Sequence, residues 1–528
     1  MSKVPSDHST VSDKFAARVK NLESVGNSQE LKLTTREFFL DDFNKTLFPL
    51  KTNKLLVELG ESEIISYIKK CLDVKEPSYS FLHQRRVYAS KVSRHVRRTV
   101  KLDVVTEYYF YDLTLRNRVL FRKPHVADRQ HYGYRFDHGS PITPTSAYKG
   151  FRGAISEYGK TYKYSMSFDV AAYFNSIYHY DLVSWFSELK AKQDDVDGFS
   201  QVLREINSAR SIDCLPQGIY PTKMIGNDFL RFIENYFELK SAKIVRFMDD
   251  ICLFSDVKND LHSDFQIIQK LLGDKGLSVN PQKTRETESS HIGIEKAIDV
   301  IKKSLLDRRR LQVMHGYDDE GDAVVSTSIS KLPFSREELN YVDGILGRPE
   351  IEEEDAELIL TIMGEHARRV ESRIPYILEK FPHLTKNVYN LCGQIENKEF
   401  IAEVIITSIR ESERLMEFQL FWYAAILEDF LMETTKVRDL LNLMFNHRSA
   451  TVITRAKILE IPCLRHGLPE LRNDYLQNGQ SDWLAWSSAA GSRDLQPVSR
   501  NHMLKYFAKN SNMNQLISVI LSKNKITS

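Results

Sequence analysis

The chain has 528 residues, 42% of them hydrophobic and 27% charged, with a formal net charge of +2. That is an ordinary soluble globular composition with room for two to four domains, and so balanced a total leaves nucleic-acid binding to be judged from charge distribution. Five cysteines, odd in number and far apart, with no CxxC or His/Cys cluster at zinc spacing, exclude a disulfide framework and a structural zinc site. The polar N-terminus and the lack of any bilayer-length apolar run imply a cytoplasmic protein with no membrane partner.

Roughly the first hundred residues read as helical, with TTREFFLDDFNKTLF offering a capping Thr before an amphipathic run. HQRRVYASKVSRHVRRTVK follows. It carries Arg85, Arg86, Lys91, Arg94, Arg97, Arg98 and Lys101 with no acid among them, which points to a surface facing nucleic acid. The basic bias continues through Arg116, Arg118, Arg122, Lys123, Arg129 and Arg135, and residues 132–146 form a Gly/Pro/Ser/Thr loop.

From 160 to 290 the texture is that of an α+β sheet domain. YKYSMSFDV reads as a strand, HYDLVSWFSELKA and MIGNDFLRFIENYFELK as helices, and KIVRF and ICLFS as strands either side of a two-residue turn. DFQIIQKLLGDKG is a helix closed by a glycine, and LSVNPQKT is a short strand running into a turn. A basic helix, DVIKKSLLDRRRL, leads to acidic links at HGYDDEGDA and RPEIEEEDAE. Beyond them the pattern is helical almost to the end, with Leu415, Phe418, Trp422, Ile426 and Phe430 at helical spacing and NQLISVIL last. Helix pairs of uneven length without a clean repeat suggest a stacked, HEAT-like array.

Two acids, Asp249 and Asp250, interrupt the apolar run KIVRFMDDICLF. Asp-Asp also occurs at Asp41-Asp42, Asp194-Asp195 and Asp318-Asp319, but in polar surroundings, so the pair alone carries no meaning. Only Asp249-Asp250 is flanked by strands, which places carboxylates at a hairpin tip. There a divalent cation gives them a use, since Mg²⁺ takes hard oxygen ligands and phosphoryl transfer commonly uses two such ions. A further carboxylate is available from Asp169, the one acid in SMSFDVAAYFNSI, which otherwise reads as the cap of the following helix.

These residues resemble the reverse transcriptases. D-V-A-A-Y-F-N-S-I at 169–177 is similar to their motif A, L-P-Q-G-I-Y-P-T at 215–222 to motif B, F-M-D-D at 247–250 to motif C and G-L-S-V-N-P-Q-K-T at 276–284 to motif D. The resemblance implies a right-hand polymerase: an N-terminal helical extension at 1–84, fingers at 85–160 and a palm at 161–297. A thumb-like helix and linker at 298–345 and the all-α domain at 346–528 follow.

It also implies roles. Asp169 and Asp249 are the two metal ligands, assisted by the Val170 carbonyl, and Asp250 is the less demanding second acid of motif C. Phe174 stands where the family places an aromatic gate against the ribose 2′-OH, and Gln217 and Gly218 line the nucleotide and template site. Lys283 matches the motif D lysine that protonates departing pyrophosphate. For the triphosphate, Lys123, Arg129, Arg135, Lys149 and Arg152 are all candidates, and the sequence does not choose among them.

Motif C opens with Phe in place of the usual Tyr, and the motif B loop is filled by Ile-Tyr-Pro-Thr. A palm followed by a helical-repeat-like domain resembles the bacterial abortive-infection and other defence-associated reverse transcriptases. The expected chemistry is dNTP polymerisation with Mg²⁺, or Mn²⁺ in its place, in defence against bacteriophage, protein-primed or template-independent in some members. The alternatives are synthesis on a dedicated noncoding RNA, RNA polymerisation on the same palm, and a silent scaffold binding RNA or a phage protein. Candidate partners are dNTPs, RNA or single-stranded DNA, a noncoding RNA, a phage protein trigger and a second copy of the chain.

Overall fold

The computed structural model describes residues 33–137, 139–207, 214–288, 301–302, 304–306, 308, 333–412 and 415–523. Helix α1 (Thr35–Phe43) opens on the expected threonine cap. The Thr34 side chain accepts from the Glu37 N–H, and the Glu37 carboxylate accepts from the Thr34 N–H at 2.8 Å. Helix α2 (Lys51–Leu72) follows.

The expectation that helix continues to about residue 100 is overturned at 85–101. Strands β1 (Arg85–Ser90) and β2 (Val96–Lys101) form an antiparallel hairpin there. The reason is a period-two pattern hidden among the arginines: Val87 and Ala89 are buried while Tyr88 between them is exposed. The hairpin tip, Val92–Arg94, carries Ser93 and Arg94 at positive φ.

Helix α3 (Val104–Arg116) is buried along nearly its whole length and capped by Asp103, whose side chain accepts from the Val105 and Thr106 N–H groups. The short strands β3 (Arg129–His131), β4 (Phe136–Asp137) and β5 (Ser140–Pro141) lead into α4 (Pro144–Thr161). Then come β6 (Tyr164–Asp169), α5 (Tyr173–Ser176), α6 (His179–Glu188), α7 (Gln193–Ile206) and α8 (Tyr220–Phe229). The hairpin β7 (Lys243–Phe247) and β8 (Asp250–Ser255), helix α9 (Lys258–Gly273) and β9 (Arg285–Glu288) complete the sheet domain. The single helix expected over MIGNDFLRFIENYFELK is instead broken after Phe229, and a one-turn helix, Arg231–Glu234, brings the Glu234 carboxylate to Arg246 on β7.

The five-stranded sheet has the order β3-β7-β8-β6-β9; β3 runs parallel to β7 and the other pairs are antiparallel. One face, carrying Met166, Phe168, Ile244, Ile251 and Leu253, joins the main core with α8 and α9, where the Phe168 and Phe265 rings meet edge-on at 4.9 Å. On the other face Phe151 and Ala154 of α4 cover Val245, Cys252 and Phe254. Tyr148 meets Phe247 and Tyr158 meets Phe254, so α4 lies along the hairpin with its N-terminal end beside the turn.

Residues 301–302, 304–306 and 308 are helical, and Arg308 pairs with Glu338; the acidic link HGYDDEGDA lies outside the described residues. From Arg336–Leu346 to Asn512–Ser522 the described chain is all α, as expected. Its core is double. Helices between 336 and 468 gather around Ile359, Ile405 and Leu440. Trp483, Leu504, Phe507 and Ile520 belong to the same core as α2 and the sheet domain. At that seam Gly60 makes room for Ile520: a Cβ on it would lie 2.3 Å from Ile520 Cγ1.

Candidate active site

Antiparallel pairing of β6 with β8 sets Asp169 directly opposite Asp250, and β7–β8 pairing closes on Phe247 and Asp250. Met248 and Asp249 are therefore the two residues of the turn, with Met248 at φ 57, the left-handed start that short hairpins favour. Asp250 shares the parity of Cys252 and Phe254, so the acids project from the α4-bearing face. Asp169 and the adjacent pair Asp249 and Asp250, eighty residues further along the chain, are thus brought to the same end of the two paired strands.

Asp169 is 6% exposed and does not cap α5, whose cap position is Ala172. Its Oδ2 lies 2.5 Å from Lys283 Nζ, while Oδ1 is buried without a hydrogen-bond partner among the described residues. The lysine arrives there because the motif D segment pairs with the end of β6. Ala171 N–H donates to Ser278 O at 2.7 Å and Asn280 N–H to Asp169 O at 2.8 Å, either side of a Val170–Val279 bridge. Alternation along the strand then turns the Val170 carbonyl to the opposite edge, toward the turn.

Charge at this site is poorly accommodated. Burial, then the charges of Asp250 and Asp169, push the Asp249 carboxyl up to about 6, against the pull of Lys283. Asp250 is solvent-exposed, yet partial desolvation and Asp169 raise it too. The Lys283 ammonium is raised by its bond to Asp169. Among the described residues no group of three or more His, Cys, Asp or Glu side chains is gathered closely enough to hold a metal ion alone. The donors themselves, carboxylates with a backbone carbonyl and one orphaned buried oxygen, are those a hard divalent cation takes, with substrate phosphates completing its shell.

Phe174 is 6% exposed, edge-on to Tyr173 at 5.3 Å, and lies against Gly226, where a Cβ would stand 3.3 Å from its ring. Its carbonyl accepts from Leu215 N–H at 2.8 Å, which ties motif A to the motif B loop. In that loop Gly218 has φ 132, a backbone region open to glycine. Gln217 is fixed by Thr99 of β2: its N–H donates to Thr99 Oγ1 at 3.0 Å and its carbonyl accepts from the same hydroxyl at 2.5 Å.

The basic hairpin β1–β2 brings two cations within electrostatic range of the acids. Arg97 is held below the usual guanidinium range by burial, with Asp249 pulling it back. Desolvation and the charges of Arg97 and Lys283 lower the Lys91 ammonium, while Asp249 and Asp169 oppose them. Lys91 and Arg97 are thus in electrostatic range of the carboxylates, a placement that arises only from the tertiary fold. Arg98 donates to Asn175 Oδ1 at 3.2 Å, and Arg94 to Glu379 O at 3.3 Å. Arg85 is exposed and Arg86 half-buried on β1.

The other triphosphate candidates are scattered. Lys149 and Arg152 are exposed on α4, and Lys123 is exposed in the segment before β3. Arg129 donates to Ser241 O and Leu239 O, and Arg135 to His131 O, so both serve the backbone.

Residues 117–305 match the family model described as reverse transcriptase (RNA-dependent DNA polymerase), a span that takes in all four motif-like segments. The match covers less than half of the chain: residues 117–305 resemble a reverse-transcriptase domain, and the described chain from Arg336 on is helical. Among solved structures, apo telomerase from Candida tropicalis is similar at 13% identity with a TM-score of 0.30, over 74% of this chain and 72% of that one. Telomerase from Candida albicans in complex with a fragment of telomeric RNA is similar at 12% identity and TM-score 0.29, over 72% and 70%. No curated protein matches the chain.

Proposed function

We propose that the chain is a DNA polymerase of reverse-transcriptase type. The observation that carries this is the register that puts Asp169 opposite Asp250, with Asp249 in the adjoining turn and Lys283 at 2.5 Å. A primer hydroxyl attacks the α-phosphorus of a dNTP and gives up its proton to water, the new O–P bond forms, and the bond to pyrophosphate breaks. Mg²⁺ held by Asp169, Asp249 and the Val170 carbonyl, or Mn²⁺ in its place, would acidify the attacking hydroxyl and neutralise the phosphates. Lys283 supplies the leaving pyrophosphate with a proton. Lys91 and Arg97 bind the triphosphate, and the Phe174 ring excludes a ribose 2′-OH.

The test is incorporation by the purified full chain of dNTPs against rNTPs on a primed RNA template, with Asp169→Asn as the blank. Preferred use of rNTPs would overturn the reading. Phe174→Ala is expected to raise rNTP use at least tenfold relative to dNTPs in the same assay. Lys91→Ala and Arg97→Ala should each raise the dNTP KM roughly tenfold while kcat changes less, as lost ground-state binding requires.

We extend the reading to defence against bacteriophage in the cytoplasm, supported by the order of parts in the sequence, a polymerase region followed by a long helical array. Phage plating on cells carrying the wild type or the Asp169→Asn, Asp249→Asn double variant decides it. Full protection by the double variant would mean that the chain acts as a binding scaffold.

A further inference from the structure

Arg246 is the one side chain of β7 that puts a full charge into the main core. It is 0% exposed, on the face of the sheet opposite the carboxylates, and its Nε lies 2.5 Å from Oε1 of the equally buried Glu234. An ion pair so buried loses both hydration shells, and well-packed apolar residues often serve stability as well or better. Nor is the pair arranged for its own benefit, since Arg246 Nη2 and Glu234 Oε2 are buried without partners among the described residues.

What the guanidinium does reach is the catalytic turn. Arg246 Nη1 donates to the Met248 carbonyl at 2.8 Å and to Asn227 Oδ1 at 3.2 Å. Met248 is the turn residue in the left-handed region, unfavourable for any side chain. Asn227 belongs to α8, which leads out of the Gln217–Gly218 loop, and its amide meets His131 Nδ1 on β3 at 3.1 Å. One planar fork therefore fastens the turn bearing Asp249 to the helix that carries the nucleotide loop.

We propose that Arg246 is a positioning residue: from behind the sheet it holds Met248 in its left-handed conformation and so fixes Asp249 relative to α8. The inference rests on the polymerase reading for its kinetic arm only. Lysine cannot replace it, because a single ammonium lacks the fork needed to serve Glu234, Asn227 and the turn carbonyl together.

The test uses the full chain as wild type, as Arg246→Lys and as the double variant Arg246→Met, Glu234→Met. Three quantities are read: the melting temperature, Mn²⁺ affinity by electron paramagnetic resonance, and kcat and KM for dNTP. In the double variant kcat is expected to fall 30- to 100-fold, on the order of what a small misplacement of reacting groups costs. Mn²⁺ should bind about tenfold more weakly, with the dNTP KM and the melting temperature little changed. Arg246→Lys should show the same split. A folded double variant with wild-type kcat and Mn²⁺ affinity overturns the proposal; if that variant does not fold, Arg246→Lys decides by the same criteria. A wild type that binds Mn²⁺ but does not polymerise overturns the polymerase reading alone, and Mn²⁺ affinity still judges Arg246. A wild type that does neither overturns both.

Discussion

Asp169→Asn and Asp249→Asn are each expected to abolish nucleotide incorporation, with kcat reduced roughly a thousandfold or more, while the protein stays folded. Removing a metal-binding carboxylate forfeits several kcal/mol of transition-state stabilisation, and each 1.36 kcal/mol is about a factor of ten. Asp250→Asn should cost less, since Asp250 is the exposed member of the three. The same substitutions separate function from stability. Burial, Asp250 and Asp169 raise the Asp249 carboxyl to about 6 in the folded chain, above the ~3.9 of an unfolded aspartate. Between those values the folded state holds a proton that the unfolded state has lost, so stability falls as pH rises through the window and the deficit is complete above it. In chelator-treated buffer Asp249→Asn should therefore be more stable than wild type at pH 7, and the difference should vanish below about pH 4. A two-unit shift corresponds to at most ~3 kcal/mol, and screening at a partly exposed turn reduces that to about 1 kcal/mol. Single-turnover incorporation and thermal melts from pH 4 to 8 check both parts; a variant less stable than wild type at pH 7 would mean that the acids are not in conflict.

The legible part of this site was the part made of local contrasts. Two acids between β-branched strands, and Asp169 at the end of another apolar strand, declare themselves because charge in a sheet is costly unless something uses it. Lys283 was legible only through the resemblance; what brings it to Asp169 is backbone pairing of Val279 with Val170, which no local pattern announces. The β1–β2 hairpin was hidden because arginines occupy both exposed and half-buried positions, masking the alternation of Val87 and Ala89. The electrostatic reach of its Lys91 and Arg97 to the acids is a tertiary fact. So is Arg246: in the sequence it reads as one more basic residue, and only the break after Phe229 brings Glu234 beneath it. The helical region was legible as helices from their spacing, whereas its core was not. Ile520 and Gly60 meet across almost the whole chain, and periodicity says which face of a helix is apolar without saying what covers it.

That seam carries the largest expected effect on stability, Glu460→Ala. Helix α2 begins at Lys51 after Leu50, which has no side-chain acceptor to cap it. Its cap comes from Glu460, more than four hundred residues away and 0% exposed. Glu460 Oε1 accepts from the Lys51 N–H at 2.9 Å, and Oε2 from the Thr52 N–H at 2.7 Å and the Thr52 hydroxyl at 2.8 Å. A carboxylate at a helix N-terminus is favoured by both the free N–H groups and the helix dipole. The same carboxylate lies 2.8 Å from the Lys457 ammonium, which is also 2.6 Å from Glu428, and Glu428 in turn is 3.2 Å from Lys51. Truncation to alanine leaves a buried lysine with one partner, strips two backbone donors of theirs and opens a void. Breaking a buried pair in this way costs about 3–5 kcal/mol. Glu460→Gln keeps acceptors for part of the cap but removes the charge facing Lys457, so its loss should be about half as large. The surface pair between Lys523 and Glu63, which bridges α2 and the last helix nearby, is the control: Glu63→Ala should cost no more than about 1 kcal/mol. Chemical unfolding gives the three losses directly, and amide exchange in the first turn of α2 localises them. Equal losses for Glu460→Ala and Glu63→Ala would show that α2 is held by apolar packing against Ile520 and its neighbours, and that the buried carboxylate adds nothing.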